Sequence, residues 1–291
     1  VNKAIGIVIY NYLIGGVNMF FKCSICDEKL KRGYKTLACE NNHTFDIAKE
    51  GYSNLISGHK KSKYDKKLFI ARRELNDSSN LYSILISKII EIIKKYEIKT
   101  KNNVIDVGTG EGYILNEISK TFLGENEFLG IDIAKEGVKK AAKSYKNINW
   151  LVADLADIPV MNGNVDFLIN VLSPSNYDEF KRVLDKEGKL IKIIPNSDYL
   201  KEIRNIVFSN HKNKDYDNSE VIDLFEANFN KIEMIDISYK VKLNKEELNK
   251  LLDMTPLTWN LSDVEKEGII KKNLSEITMS FKVLVGGFKT S

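Results

Sequence analysis

The chain has 291 residues, of which 43% are hydrophobic and 29% charged, with a formal net charge of +4. That is the balance of an ordinary soluble enzyme with one large and one small domain. Its three cysteines all fall between Cys23 and Cys39, an odd, clustered set that does not suggest a disulfide framework and does suggest a metal. Charge is unevenly spread. Val1 to Thr100 carries 18 Lys/Arg against 10 Asp/Glu, a net +8, and the remainder is −4, so a polyanionic partner is expected at the N-terminal third.

The first stretch, residues 1–18, is expected to be an extension outside the fold, with Met19 just ahead of the first module. Its apolar run from Ala4 to Val17 covers only 14 residues and is interrupted by Asn11 and three glycines, too short to span a bilayer. No membrane partner is expected. Residues 19–58 then read as a zinc-ribbon domain. They hold Cys23-x2-Cys26-x12-Cys39-x3-His43, two close pairs that can bring three thiolates and one imidazole to the corners of a tetrahedron. A module this small cannot bury enough core to fold alone. Structural zinc would supply roughly 10–16 kcal/mol of apparent binding energy.

Residues 59–80 read as a basic linker or arm. Lys60, Lys61, Lys63, Lys66, Lys67, Arg72 and Arg73 stand against a single acid, Asp65, before Glu74, with Tyr64 and Phe69 interleaved. Such a run can contact phosphates and offer aromatic faces to unstacked bases. A solvated linker is the plainer alternative.

From residue 81 to 291 the pattern is α/β. Leu81 to Tyr96 has apolar residues at helical spacing and leads into Val104–Val107, a short β-branched run followed by Gly108-Thr-Gly110-Glu-Gly112 and the helix Tyr113–Phe122. Strand, tight turn, helix is the expected order. Glycines at alternate positions let a ligand approach the main chain closely. Further strands are expected at Glu127–Ile133, Asn149–Ala153, Val165–Leu172 and Lys189–Ile194, and two long ones at Lys231–Lys242 and Thr278–Gly287. Helices are expected at Ala134–Tyr145, Asp178–Asp185 and Asp198–Phe208, with a helical insertion carrying Met254-Thr-Pro-Leu-Thr-Trp259. Asp106, Asp132 and Asp154 fall at or near the carboxyl ends of three successive strands, where the ligands of open α/β sheets gather.

The Asp106-x-Gly108-x-Gly110-x-Gly112 spacing resembles motif I of class I S-adenosylmethionine methyltransferases. The resemblance implies a Rossmann-like sheet whose cofactor site draws on Asp106, Gly108, Thr109, Gly110, Glu111, Gly112, Tyr113, Asp132, Ile133, Asp154, Leu155 and Asn170. Asp132 would take the ribose hydroxyls, and Asp154 the adenine amino group. The zinc spacing, Phe45-Asp46, Ala48-Lys-Glu-Gly-Tyr52, Ala71-Arg-Arg73, motif I and Met254-Thr-Pro-x-x-Trp259 occur in one order. Together they resemble the RlmA family of 23S ribosomal RNA guanine-N1 methyltransferases, from about Phe20 to the C-terminus.

That resemblance implies zinc and S-adenosylmethionine as cofactors, a hairpin of 23S rRNA as partner and a cytoplasmic setting, with a homodimer as a further expectation. Asp157 and Asn170, near the expected acceptor loop, are the candidates for the base that removes the N1 proton. The family's Ala-Pro-Cys-like stretch after the fourth strand appears here as Ser173-Pro174-Ser175, and a Gly-Asp pair after the basic stretch as Tyr64-Asp65. A small-molecule methyltransferase and an inactive rRNA-binding protein are the rival readings.

Overall fold

A computed structural model describes residues 21–56, 64–97, 99–122, 124, 126–208 and 217–289. The expected extension at 1–18 and Lys60, Lys61 and Lys63 lie outside the described residues. The ribbon's own sheet has three short antiparallel strands, β1 (Lys31–Arg32), β2 (Thr36–Ala38) and β3 (Thr44–Asp46). β4 (Tyr52–Asn54) pairs in parallel with β7 (Asn149–Val152), Ser53 beside Leu151, and so becomes an edge strand of the main sheet.

That sheet has eight strands in the order β10-β11-β9-β8-β5-β6-β7-β4. Its parallel centre is built from β5 (Asn103–Val107), β6 (Glu127–Asp132), β7, β8 (Val165–Val171) and β9 (Leu184–Pro195). β11 (Glu276–Gly287) runs antiparallel between β9 and β10 (Asn230–Lys242). The strand order reverses at β5, flanked by β6 and β8. That reversal opens the crevice in which doubly wound sheets bind ligands. The loops after β5 and β8 line it.

Side chains alternate across the sheet and feed one core on each face. On one face Val104, Phe167, Ile169, Ile191, Ile193 and Phe281 pack under α2 (Ser83–Tyr96), α3 (Tyr113–Thr121), α4 (Lys135–Ser144), α6 (Lys201–Val207) and α8 (Lys245–Met254). On the other, Ile105, Val107, Leu168 and Leu190 pack with Phe180 of α5 (Tyr177–Val183) and Phe225 of α7 (Ser219–Asn228). This second core also takes Phe21, Leu30 and Leu37 from the ribbon. Each such apolar side chain contributes roughly 1.5–3 kcal/mol when buried, so the ribbon is packed onto the sheet rather than tethered beside it. Phe21 also bridges Val160, and the Lys22 amide donates to the Pro159 carbonyl at 3.0 Å.

The expected arm is ordered differently. Lys66–Ser78 is a 13-residue helix, α1, capped by Asp65, whose carboxylate accepts from the Leu68 amide at 2.8 Å. Its apolar residues Leu68, Phe69, Ala71 and Leu75 are buried against α4 and α8. A final helix, α9 (Asp263–Ile270), packs on α8. Among the described residues no helix is long and apolar enough to cross a membrane.

Candidate active site and metal centre

The ribbon brings Cys23, Cys26, Cys39 and His43 together with all four ligand atoms within 4.8 Å of one another. Cys26 Sγ lies 3.6 Å from Cys39 Sγ, and His43 Nδ1 lies 3.2–3.7 Å from the three sulfurs. A tetrahedral ion with zinc–sulfur bonds of about 2.3 Å and zinc–nitrogen bonds of about 2.0 Å needs ligand separations of roughly 3.5–3.8 Å. The donor set therefore fits zinc, through Nδ1 of the histidine. Each ligand pair is closed by a tight turn: the Asp27 amide donates to the Cys23 carbonyl at 3.0 Å, and the Asn42 amide to that of Cys39 at 3.1 Å. Asp27 and Asn42 sit at φ +63° and +61°, a region those two residue types enter more readily than most. Hydrogen bonding from the Glu28 main chain brings the Cys26 thiol down to about 6, whereas burial raises that of Cys23. No fifth protein ligand is needed. The geometry is that of a closed structural site.

At the crevice the glycine loop is built as its spacing requires. Gly108, Gly110 and Gly112 have φ of +80°, +60° and +79°, and Gly108 and Gly112 also lack room for a side chain. A Cβ on Gly108 would lie 2.0 Å from Ser173 Oγ, and one on Gly112 would lie 2.4 Å from the Trp150 ring. Asp132 orders the loop from beneath: its carboxylate accepts the Gly110 amide at 2.7 Å and the Ala134 amide at 2.7 Å. Each oxygen keeps a second lone pair for a ligand hydroxyl.

Asp106 is 3% exposed, and neither its Oδ1 nor Thr109 Oγ1 has a hydrogen-bond partner. Burial pushes the Asp106 carboxyl up to about 7, against the lowering effect of the nearby Thr109 hydroxyl and with a smaller push from the Asp132 charge. Two orphaned polar atoms at a glycine loop call for a polar ligand, and S-adenosylmethionine with its amino and ribose groups supplies one. Asp154 is half-buried near the end of β7, accepting the Ala156 amide at 2.9 Å, with Leu155 half-buried beside it. Tyr113 and Ile133 are also half-buried at the loop and at the end of β6.

Four sequence-based assignments change. Glu111 does not face the crevice: it is 2% exposed, and its carboxylate accepts from Arg73 Nε at 2.7 Å and Asn76 Nδ2 at 3.0 Å. Arg73 is correspondingly withdrawn from RNA. Its guanidinium is buried, also donates to the Glu111 carbonyl at 2.7 Å and lies 4.4 Å above the Tyr145 ring. This pair fastens α1 to the cofactor loop. Asp157 forms an ion pair at 2.5 Å with Lys22 of the ribbon, which gives it a docking role. Asn170, wholly buried, spends its amide on the Val107 and Pro174 carbonyls at 3.1 Å each and accepts from Lys192 at 2.8 Å. It is a brace within the protein, with no capacity left to act as a base or to hold a ligand.

Of the remaining basic residues, Lys66 and Lys67 are exposed on the first turn of α1. Arg72 is half-buried over the Phe69 ring and close to Gly110, where a Cβ would lie 3.0 Å from its Nη1. It therefore belongs to the glycine loop's surroundings. Trp259, 41% exposed, meets Tyr64 edge-on with ring centroids 5.5 Å apart. The turn that presents it is anchored by the buried Thr258 hydroxyl, which donates to the carbonyls of Leu252 and Thr255. Spacing alone missed Lys192. A single lysine inside the apolar run Leu190-Ile-Lys-Ile-Ile194 was the available signal, since lysine is seldom fully buried.

Comparison with known proteins agrees with this geometry. Residues 21–63 match the family model for the N-terminal domain of RlmA, and residues 98–253 match a methyltransferase domain. The protein YxjB of Bacillus subtilis (strain 168), named provisionally as a 23S rRNA (guanine-N(1)-)-methyltransferase, is 33% identical over 279 residues. That alignment covers 91% of this chain and 96% of the relative. The chain belongs to the RlmA family of methyltransferases. A second member, the 23S rRNA (guanine(748)-N(1))-methyltransferase of Streptomyces fradiae, is 26% identical over 265 residues, covering 90% of this chain and 94% of its own. Membership of the RlmA family accounts for both cofactor sites: a Cys3His ribbon for zinc and an acid-and-glycine crevice for S-adenosylmethionine.

Proposed function

We propose that this RlmA-family enzyme methylates N1 of a guanine in a hairpin of 23S ribosomal RNA. One observation carries the reading: a Cys3His ribbon shares its apolar core and, through β4, its chain direction with the sheet that holds the cofactor loop. Ribbon and crevice thus form one body, so an RNA gripped by the first is presented to the second. Exposed Lys29, Lys31, Arg32 and Lys35 on the ribbon, with Lys66 and Lys67 on α1, give that body phosphate contacts.

When bound, S-adenosylmethionine supplies a methyl group on a sulfonium, ready for transfer to a nucleophile. The chain's own residues position it. Asp132 offers lone pairs to the ribose hydroxyls and Asp154 to the adenine amino group, while the bare main chain at Gly108 and Gly110 allows close approach. Guanine N1 carries a proton in the neutral base, and its loss to solvent leaves negative charge on the ring. The base must leave its stack to reach the crevice, where the exposed rings of Trp259 and Tyr64 offer an apolar face at the mouth. Positioning of this kind accounts for a large share of the acceleration of such transfers.

The test is methyl transfer by the zinc-loaded protein to 23S rRNA lacking the modification, read by primer extension. A new stop at one guanine is expected. Cofactor turnover on small molecules with no label in the RNA would favour a small-molecule methyltransferase instead.

A further inference from the structure

The sequence places a lysine in the middle of a buried strand, and among the described residues the structure gives it no counter-ion. Lys192 is 4% exposed on β9, in register with Asn170 of β8 and Leu284 of β11. Its ammonium donates to Asn170 Oδ1 at 2.8 Å, to Ser175 Oγ at 2.6 Å and towards the Ser173 carbonyl at 3.4 Å. Three donors meet three acceptors, all of them neutral. The carboxylates on neighbouring elements are committed elsewhere: Asp166 of β8 to Lys99, Glu179 of α5 to Arg182, and Asp178 to Lys181. Asp106 of β5 falls on the opposite face by strand alternation. Lys282 of β11 pairs with Asp236, and the Tyr177 hydroxyl of α5 is held above its usual range by burial.

What Lys192 holds is the loop on the acceptor side of the crevice. Asn170 bridges the Val107 carbonyl, one residue before the glycine loop, to that of Pro174, and Ser175 Oγ reaches Asn170 Oδ1 at 3.3 Å. Ser173 presses on Gly108. Between them Leu172 adopts φ +49°, a left-handed conformation that a branched side chain seldom occupies, and its amide is fixed to the Ile193 carbonyl at 3.0 Å. A residue in such a conformation persists only where its surroundings over-determine it. A buried, unpaired charge is likewise costly. Strained loop and unpaired ammonium meet at the crevice, where the cofactor and the acceptor base are brought together.

We infer that Lys192 is a positioning residue for methyl transfer, its charged form clamping Leu172–Ser175 against the glycine loop and leaving an unbalanced positive charge behind the acceptor. The inference rests on the proposed guanine acceptor for its electrostatic half, because a positive charge favours the anion formed when N1 loses its proton. Its mechanical half stands without that reading. Neutral Lys192 has one donor fewer, so the clamp loosens when the proton is lost. Burial brings the ammonium down to about 8, which places this loosening in an accessible range.

The experiment compares zinc-loaded full-length wild type with Lys192→Met, a neutral residue of similar length. Two readouts are taken from pH 6.5 to 9.5. The first is amide hydrogen exchange at Leu172, Ser173, Ser175 and Asn176, which needs no RNA. At pH 7 the variant should exchange these amides at least tenfold faster than wild type, and the two should converge towards pH 9.5. The second is kcat and KM for methyl transfer to 23S rRNA: kcat should fall tenfold or more at pH 7 with KM for S-adenosylmethionine within twofold, the deficit shrinking as pH rises.

Equal exchange at every pH, or a loss of kcat by the same factor throughout, would overturn the inference. If Lys192→Met does not fold, Ser175→Ala removes one acceptor alone and should show the same convergence with smaller amplitude; no convergence there also overturns it. Failure of wild type to methylate rRNA would sink the proposed substrate and leave the exchange result to decide the clamp.

Discussion

The ribbon and the sheet solve the same problem by opposite means. The sheet buries two apolar cores, and Ile105, Leu168, Phe167 and Ile191 are at most 1% exposed without help from any ligand. The ribbon has strands of two or three residues and few buried side chains of its own. It substitutes a metal and the sheet's surface for the core that it lacks. The lesson is one of dependence: the sheet should stand without the ribbon's metal, whereas the ribbon should fail without it. In the proposed function the small region gives recognition and the large one chemistry, so each should be breakable without the other.

The largest expected effect is therefore on the metal. Chelation, or Cys39→Ser, should remove roughly 10 kcal/mol of apparent binding energy from the ribbon. Hydrogen-exchange protection should be lost at residues 23–46 and kept in β5, β8 and β9. Uniform loss of protection would mean that the two regions are one cooperative unit.

Next in size is the fastening between α1 and the glycine loop. Arg73→Ala strands the Glu111 carboxylate, which is 2% exposed, and breaking a buried pair from one side costs about 3–5 kcal/mol. Urea denaturation should register that loss, with the zinc content unchanged. Gly112→Ala should cost about 1–3 kcal/mol, from a Cβ driven into Trp150 and a strained φ. It should also abolish S-adenosylmethionine binding in titration calorimetry. Unaltered affinity would place the cofactor elsewhere.

A smaller effect separates the cofactor acid from its neighbours. With the Asp106 carboxyl pushed up to about 7, the protein without cofactor is partly protonated there at neutral pH. A ligand bearing positive charge prefers the ionised form, so binding should release a proton. Affinity for S-adenosylmethionine should rise as pH increases from 6 to 8, and Asp106→Asn should flatten that dependence. The smallest effect belongs to Asp157. Its carboxylate is half exposed and Lys22 keeps a second partner in Asp27, so the pair should contribute about 0–1 kcal/mol. Asp157→Asn should leave kcat within twofold and loosen the ribbon slightly; a hundredfold fall in kcat would return Asp157 to the chemistry.

The two regions also differed in how far sequence alone described them. The zinc ligands were legible because covalent spacing fixes them: two pairs on two tight turns can close on one ion. The strands were legible from periodicity, and β5, β6, β7 and β8 lie within a residue of their expected bounds. What escaped were side chains whose role depends on tertiary partners. Nothing in Ala71-Arg-Arg73 says that one guanidinium turns inward to Glu111 while its neighbour stands by Gly110. A run of lysines and arginines resembles a solvated arm until the buried stripe Leu68, Phe69, Ala71 and Leu75 finds α4 and α8 to cover it. β4 was hidden for a related reason. Three residues carry too little pattern to announce a strand, and only the exposed edge of β7 gives them one. α7 was passed over as well, since it follows a polar stretch and buries only Phe225 completely.

The division between recognition and chemistry is tested most directly by one paired titration. S-adenosylmethionine affinity and 23S rRNA methylation are measured on the same preparation, first zinc-loaded and then stripped of zinc. Cofactor affinity should stay unchanged within twofold and methylation should fall at least a hundredfold, with recovery when zinc is returned. Methylation that survives zinc removal, or cofactor affinity that collapses with it, would show that the two regions do not divide the work in this way.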